Sequence, residues 1–308
     1  MIEANSIYVV HEGKAAYPEV AAIKRHFGNQ YSVVESVPSD LQRVDSLERS
    51  VAWYMMGFYP RAPKAKMIIH DYRSLSVGRM KRVKDFCKRM FNARPDLRVF
   101  QNDEIRRSLG FVEDSRTLYL PMGVPDIFVD NRGPGESCDT DFVYIGSMLA
   151  ERRCELMIDS FLRRFGASKL FRLYGARQLE LEARYADHPN VQFCGSVPQH
   201  ELIPVLKSAR VGVAYFPNHF PHILQTPTKL MEYAALGMRI LANEQPQNRA
   251  TAQDYGVACL WGPADDMFRD VPEDISWPDN SALDADLMRW SSVFGRSGIV
   301  QAIAAGLK

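Results

Sequence analysis

Two α/β domains in tandem, each built on a parallel sheet, are what this 308-residue sequence predicts. Three observations lead there. Short, near-continuously apolar, β-branched runs alternate with amphipathic stretches, the pattern of strands covered on both faces by helices. The two series are separated by VDNRGPGESCDTD after Phe128, where two glycines, a proline and four acidic residues mark a loop. A chain of this length also exceeds one typical core and suits two domains of about 150 residues.

In chain order, SIYVVHEG reads as a strand and YPEVAAIKRHFG as a helix. YSVVESV and KMIIHDY are further strands, VGRMKRVKDFCKRMF a helix, and LRVFQND and RTLYLPMGV complete the first half. The second half opens with DFVYIGS as a strand, RRCELMIDSFLRRFG as a helix, and KLFRLYG and NVQFCGS as strands. HELIPVLKSA, RVGVAYFP, PTKLMEYAALG and MRILAN then alternate helix, strand, helix, strand. DLMRWSSVFGRSGIVQAIAAGLK reads as one or two closing helices with a break near Gly295 to Gly298. The boundaries that follow are a first domain over 1–130, a linker over 131–140, a second domain over 141–280, and closing helices over 281–308 that can pack back on the first domain. Two such domains are expected to face each other across a cleft, with ligands beyond the carboxyl ends of the strands.

Composition narrows the function less. Hydrophobic residues make up 46% and charged residues 24%, ordinary for a globular enzyme, and a net charge of +1 selects no partner class. No nucleic-acid partner is expected. The five cysteines are odd in number and show no C-x-x-C pair, which argues against a disulfide framework or a zinc site and for a reducing, cytoplasmic setting. The N-terminus lacks a signal pattern, and no apolar run approaches the roughly 18 residues of a membrane span. A soluble or peripheral protein is expected.

The informative stretch is TPTKLMEYAALG, Thr226 to Gly237. Thr226 suits an N-cap and Pro227 the first helical position. The backbone N–H groups of Thr228 and Lys229 would then be free at a terminus that already carries roughly half a positive charge. Adding Lys229 there calls for an anion, and a diphosphate fits. Glu232 lies three residues on, on the same face, within an otherwise apolar helix. A carboxylate so placed wants donors, which the two hydroxyls of a ribose supply. An exposed first-turn lysine paired with a surface glutamate would share this spacing.

TPTKLMEYAALGMRILA resembles the donor-binding motif of GT-B glycosyltransferases, specifically the family 4-like retaining group. Further pieces are similar in order: YLPMGVPDIF, DFVYIGSMLAERR, and NVQFCGSVPQHELIPVLKSARVGVAYFP. The resemblance covers roughly residues 68–241. It implies the GT-B fold, two Rossmann-like α/β domains facing across a cleft, and a UDP- or GDP-sugar donor with no further cofactor and no metal. It also implies roles. Glu232 would hold the ribose, and Thr226, Pro227 and Thr228 would bring backbone amides to the diphosphate with Lys229 beside it. Gly195, Ser196 and Val197 would meet the base, and Gly146 would let the backbone approach the donor phosphate. Arg153 falls at the family's catalytic lysine and would neutralise the leaving diphosphate, although Arg152 next door could be the residue that points in. Two positions depart from the pattern. Leu224 stands where the family has a glutamate that reads the donor sugar, with His222 or Gln225 as substitutes, and Ser147 stands where an arginine is usual.

In the first domain, the resemblance places a histidine at a strand end facing the donor sugar, and His70, after Met67–Ile69, is the match, with Asp71 and Arg73 as polar neighbours. His11, at the end of the first strand, is a second candidate. Residues 79–98 carry eight Lys/Arg against Asp85 and Asp96, with Met80, Val83, Cys87 and Met90 at helical spacing. This reads as an amphipathic helix with its apolar side toward the sheet and a basic outer face, a solvated face or a contact with an anionic membrane. Asp139 and Asp141 form a D-x-D, read as loop residues and not as a metal site.

The expected activity is glycosyl transfer with retention, from a nucleotide-diphosphate sugar to a saccharide or lipid-linked acceptor, as in capsule, exopolysaccharide or lipopolysaccharide assembly at the inner face of the plasma membrane. A nucleotide-sugar epimerase of the same fold, or a catalytically silent binding protein, is the alternative.

Overall fold

The computed structural model describes residues 5–13, 17–44, 50–55, 57–61, 64–76, 78–111, 115–135, 138–272 and 277–308, the side chain of His200 excepted. The chain forms two compact units, Met1–Gly123 with Trp290–Lys308, and Val124–Arg289. Each holds one six-stranded parallel sheet.

In the first unit the strands are β1 (Ser6–Val10), β2 (Ser32–Ser36), β3 (Val51–Met55), β4 (Met67–Tyr72), β5 (Leu97–Phe100) and β6 (Arg116–Tyr119). Their order is β2-β1-β3-β4-β5-β6. Around them lie α1 (Pro18–Phe27), α2 (Pro38–Leu41), α3 (Lys81–Phe91) and α4 (Asp103–Leu109). Pro18 starts α1 where a missing N–H costs nothing, and the helix buries Val20, Ile23 and Phe27. Strand β3, VAWYM, is buried throughout and was not anticipated. Strict strand–helix alternation fails beside it, because the described residues between β3 and β4 form no helix. Tyr59 secures that connection instead: its hydroxyl donates to the Met55 carbonyl at 3.0 Å, and its N–H donates to Asn92 Oδ1 at 2.8 Å.

The second unit has β7 (Thr140–Ile145), β8 (Phe171–Tyr174), β9 (Val191–Gly195), β10 (Ala209–Ala214), β11 (Arg239–Asn243) and β12 (Leu260–Gly262), in the order β12-β11-β10-β7-β8-β9. Its helices are α5 (Asp126–Asp130), α6 (Cys154–Phe165), α7 (Leu179–Arg184), α8 (Gln199–Lys207), α9 (Thr228–Leu236) and α10 (Pro246–Tyr255). Phe142, Phe161, Phe165, Phe171 and Phe268 pack one side of this sheet with ring centroids 5.1–6.5 Å apart. Each such ring contributes roughly 1.5–3 kcal/mol by leaving water. On the other side, α9 lies close enough to β10 that a Cβ at Gly212 would meet the Tyr233 ring at 2.7 Å. The Tyr233 hydroxyl accepts a hydrogen bond from Ile145 N–H at 3.0 Å, fixing α9 to the end of β7.

The chain leaves the first unit at Gly123, ahead of the 131–140 stretch whose composition suggested a linker. That stretch begins inside the second unit. Arg132 donates to the Ala234 and Ala235 carbonyls at 2.8 and 3.0 Å and also to the Asn280 carbonyl, so it caps the end of α9. The chain returns to the first unit through α11 (Trp290–Ser297) and α12 (Ile299–Gly306), which are separated by Gly298 at φ 78°. Phe294 packs on Phe27 at 5.5 Å between centroids, and Lys66 Nζ donates to the Leu307 carbonyl at 2.8 Å. Gly123 has no room for a side chain, since a Cβ there would sit 2.6 Å from the Trp290 ring.

Candidate active site

The second sheet has a switch point. From β7 the chain builds outward through β8 and β9 on one side and β10, β11 and β12 on the other. A crevice opens beyond the carboxyl ends of two strands that diverge in this way. Gly146 follows β7 there, and Tyr215 and Phe216 follow β10. The N-terminus of α9 comes to the same place.

Helix α9 begins at Thr228, one residue later than expected, with Pro227 rather than Thr226 in the capping position and no side-chain cap. Its first N–H groups therefore lack helical acceptors. Lys229 lies across Gly146: a Cβ on Gly146 would stand 2.4 Å from Lys229 Cε, and the backbone there has φ 133°. Lys229 Nζ sits 5.0 Å from the Tyr144 ring centroid and 5.4 Å from that of Phe216. Burial, and then the charge of Arg152, lower its pKa to about 8.

Arg152 is the arginine turned inward. Its guanidinium lies 5.3 Å from the Phe216 ring, and its Nη1 is buried without an acceptor among the described residues. Arg153, the expected catalytic arginine, is exposed. The cause is local: the 3-10 turn Ala150–Arg152 ends in a left-handed residue, Arg153 at φ 49°. Its carbonyl is held by the Tyr215 hydroxyl at 3.1 Å, and its side chain lines a separate pocket with Asn218, His219 and Asp265.

Glu232 is half-buried one turn into α9, between residues that are fully buried. Burial raises its pKa to about 7, with Lys229 opposing. No side-chain hydrogen bond or ion pair joins Glu232 or Lys229 to any described residue. The surface Lys–Glu pair that the spacing allowed is therefore not formed. Two cations and a carboxylate gather at the sheet's switch point with no side-chain ion pair to any described residue.

Other parts of the site are tightly built. Asn243 accepts from Phe216 N–H and donates to the Phe216 carbonyl, both at 2.8 Å, and Asn248 donates to Asn243 Oδ1 at 3.0 Å. This buried amide pair fixes the ring on which both cations rest. Neither asparagine nor Phe216 was singled out by the sequence. Gly175, after β8, is another missed position: a Cβ there would lie 1.9 Å from the Gly146 carbonyl oxygen. Gly195 ends β9 at φ 76°, with Ser196 exposed and Val197 half-buried beyond it. Ser147 is drawn into its own turn, where its Oγ accepts from Leu149 N–H at 3.4 Å and its carbonyl accepts from the Tyr144 hydroxyl at 3.0 Å. His222 is buried with Nδ1 3.1 Å from Gln225 Oε1, so the two suggested substitutes at the Leu224 turn engage each other. Asp139 pairs with Arg172 at 3.1 Å, while Asp141 accepts from Leu170 N–H at 2.9 Å and lies 3.5 Å from Lys169.

In the first unit, His70 is not at a strand end. Strand β4 continues to Tyr72, and His70 is 2% exposed among Tyr54, Tyr59 and Tyr72. Burial lowers its pKa to about 3, so the ring is neutral, and its Nε2 has no hydrogen-bond partner among the described residues. His11 Nδ1 accepts from Gly13 N–H at 3.0 Å, and its Nε2 lies 2.8 Å from Glu35 Oε1, a local clamp after β1.

Two Rossmann-like α/β units, each with a six-stranded parallel sheet, make this a GT-B fold. Solved structures similar to the chain include transferases. AviGT4, a glycosyltransferase involved in avilamycin A biosynthesis, is similar over 98% of both chains at 14% identity and a TM-score of 0.59. Anabaena Alr3699/HepE in complex with UDP is similar over 98% of this chain and 99% of its own, at 10% identity and a TM-score of 0.63. The pneumococcal O-GlcNAc transferase GtfA in complex with UDP and GlcNAc covers 88% of this chain and 54% of its own, at 10% identity and a TM-score of 0.51. At these identities the likeness establishes the fold. No family model matches the chain, and no curated protein matches it.

Proposed function

We propose that this protein is a glycosyltransferase that takes a sugar from a nucleotide-diphosphate donor. The observation that carries the reading is the set of Arg152, Lys229 and Glu232 at the switch point of the second sheet, with no side-chain ion pair among the described residues. Arg152, Lys229 and the first N–H groups of α9, at Thr228 and beyond Pro227 and Thr226, bind the diphosphate. Glu232 accepts hydrogen bonds from the ribose hydroxyls. The loop Gly195, Ser196 and Val197 meets the base, and Gly146 admits the phosphate. UDP is the first nucleotide to test, because HepE and GtfA were both solved with it.

In the reaction, the bond from the anomeric carbon to the diphosphate oxygen breaks with its electron pair on the phosphate. A bond from the same carbon to the acceptor oxygen forms, and the acceptor proton passes to the departing phosphate. Charge develops on the leaving diphosphate, where the two cations already stand, so they stabilise the transition state without reorganising. The reading includes retention at the anomeric carbon, no metal requirement, and a saccharide or lipid-linked acceptor of cell-surface polysaccharide assembly on the cytoplasmic side of the membrane.

Incubation with UDP- and GDP-sugars, read by nucleotide-diphosphate release, tests the proposal against Lys229→Met and Glu232→Gln. Absence of any nucleotide binding sinks it. One observation favours a second reading, a silent nucleotide-binding protein: Leu224 stands where a sugar-reading carboxylate would be. Nucleotide binding that is lost in Lys229→Met, with no release from any donor in the presence of acceptors, selects that reading.

A further inference from the structure

Helix α3 faces the wrong way for a helix covered by water. None of its residues is fully buried. Lys81, Asp85 and Lys88, at i, i+4 and i+7, form the stripe turned toward the protein. Asp85 accepts from Ser76 N–H at 3.1 and 3.2 Å, and Lys88 Nζ donates to Ser76 Oγ at 2.8 Å and to Asp85 at 3.3 Å. The opposite stripe, Val83, Phe86 and Met90, is exposed, as are Met80 and Phe91 at the two ends, all between 49% and 59%. The expectation that Met80, Val83 and Met90 pack on the sheet is thus reversed. A surface helix in water shows the opposite arrangement. Phe58, also exposed, lies in a loop tied to the end of α3, where Tyr59 N–H meets Asn92 Oδ1 and Ala93 N–H meets the Tyr59 carbonyl, each at 2.8 Å.

The outward stripe has charge on both flanks. Helical spacing puts Arg82 and Arg89 on one side and Lys84 on the other, all exposed. The Arg89 guanidinium lies 5.2 Å from the Phe86 ring, with its charge beside the apolar stripe. The one acid within α3, Asp85, is turned inward. A second copy seated on this face would bring cation flanks together. Among the described residues no helix is long and apolar enough to cross a membrane, so contact with one would be at its surface.

We propose that α3 docks this protein on an anionic lipid bilayer, with Val83, Phe86 and Met90 in the headgroup layer and Arg82, Arg89 and Lys84 on lipid phosphates. Aromatic and long apolar side chains on one face with Lys/Arg beside them are what interfacial helices use. The proposal is independent of the donor reading, because it concerns the first unit and needs no nucleotide.

Co-sedimentation of the full chain with vesicles tests it, using phosphatidylcholine alone and equal parts phosphatidylcholine and phosphatidylglycerol. Binding is expected to the anionic vesicles, weakening as salt is raised, and to be at least ten-fold lower on phosphatidylcholine alone. The double variant Arg82→Glu/Arg89→Glu should lose at least about twenty-five-fold, at about five-fold for each basic residue removed. Phe86→Ser should lose binding at every salt concentration. Leu179→Ser, an exposed leucine of α7, should lose none. Circular dichroism confirms that each variant is folded. Equal partition onto both vesicle types, or none onto the anionic ones, overturns the proposal. So does a concentration-dependent dimer in sedimentation velocity that Phe86→Ser abolishes, which would make the occupant a second copy.

Discussion

The two sheets treat charge at their carboxyl ends in opposite ways. In the first unit, Asp71 is 1% exposed and paired: its Oδ1 lies 2.8 Å from Arg73 Nε in an ion pair, and its Oδ2 accepts from Arg73 Nη2 and Trp53 Nε1, each at 3.0 Å. Arg73 in turn donates to the Leu120 carbonyl at 2.6 Å, joining the ends of β4 and β6. In the second unit, Arg152, Lys229 and Glu232 rest on rings and apolar residues with no ion pair among them. A charge satisfied inside the protein holds the fold. A charge denied a partner raises the free energy of the empty protein and is relieved when a ligand arrives. Sequence proximity does not separate the two cases. Asp71 and Arg73 are two residues apart and pair, whereas Lys229 and Glu232 are three apart and do not.

Substitutions can break this contrast, and the largest effect is expected in the first unit. Asp71→Ala leaves Arg73 buried without its counter-charge and should destabilise by about 3–5 kcal/mol in chemical denaturation. A loss of under about 1 kcal/mol would mean the pair is not structural. Next comes Lys229→Met, or Arg152→Ala, measured by calorimetric titration with UDP and GDP. Each removes a charge-assisted contact to diphosphate of about 1.5–3 kcal/mol, a ten- to hundred-fold loss of affinity. Arg153→Ala, by contrast, should stay within about 0.5 kcal/mol of the parent. If the two arginines exchange these outcomes, the assignment is reversed.

Gly146→Ala should cost about 1–3 kcal/mol of stability from its left-handed backbone and reduce nucleotide affinity as well, because the new methyl displaces Lys229. A stability loss with affinity intact would detach Lys229 from the site.

The smallest effects sharpen the comparison through pH. Glu232 is raised from its ordinary 4.5 to about 7, so its contribution to stability is complete below 4.5 and lost as pH rises through 7. Lys229 is lowered from 10.5 to about 8, so its contribution is complete above 10.5 and lost as pH falls through 8. Between pH 7 and 8 the free protein carries both costs. Glu232→Gln should therefore melt a few degrees higher than the parent at pH 8 and equally at pH 4.5. Added UDP should shrink the gap at pH 8. A gap that does not vary with pH would show that Glu232 is ionised without cost.

The legible part of the molecule was the part where one segment carries its own signal. Five of the second unit's six strands announced themselves as short apolar runs, β12 being only three residues long, and TPTKLMEYAALG carried proline, lysine and glutamate in the pattern of a helix start. What stayed hidden depended on direction. Arg152 and Arg153 are adjacent, and a single left-handed residue decides which points inward. Met80, Val83 and Met90 form an apolar stripe at helical spacing, but so do Lys81, Asp85 and Lys88 form a polar one, and periodicity does not say which faces the sheet. Asn243 and Asn248 lie far from Phe216 in sequence, and only the β10–β11 pairing brings them to it. Strand β3 was missed because its connection to β4 contains no helix among the described residues, so the alternation that revealed the other strands was absent.

The return of the chain to the first unit bears on how the protein is made. Residues 290–308 supply Trp290 against Gly123, Phe294 against Phe27, and the carbonyl that receives Lys66. On the ribosome these residues emerge only after the whole second unit has been synthesised. The amino-terminal sheet therefore waits, incompletely covered, while the carboxyl-terminal one can already close. The half translated first is finished last, and a chain cut short before Trp290 would carry one complete unit and one open one.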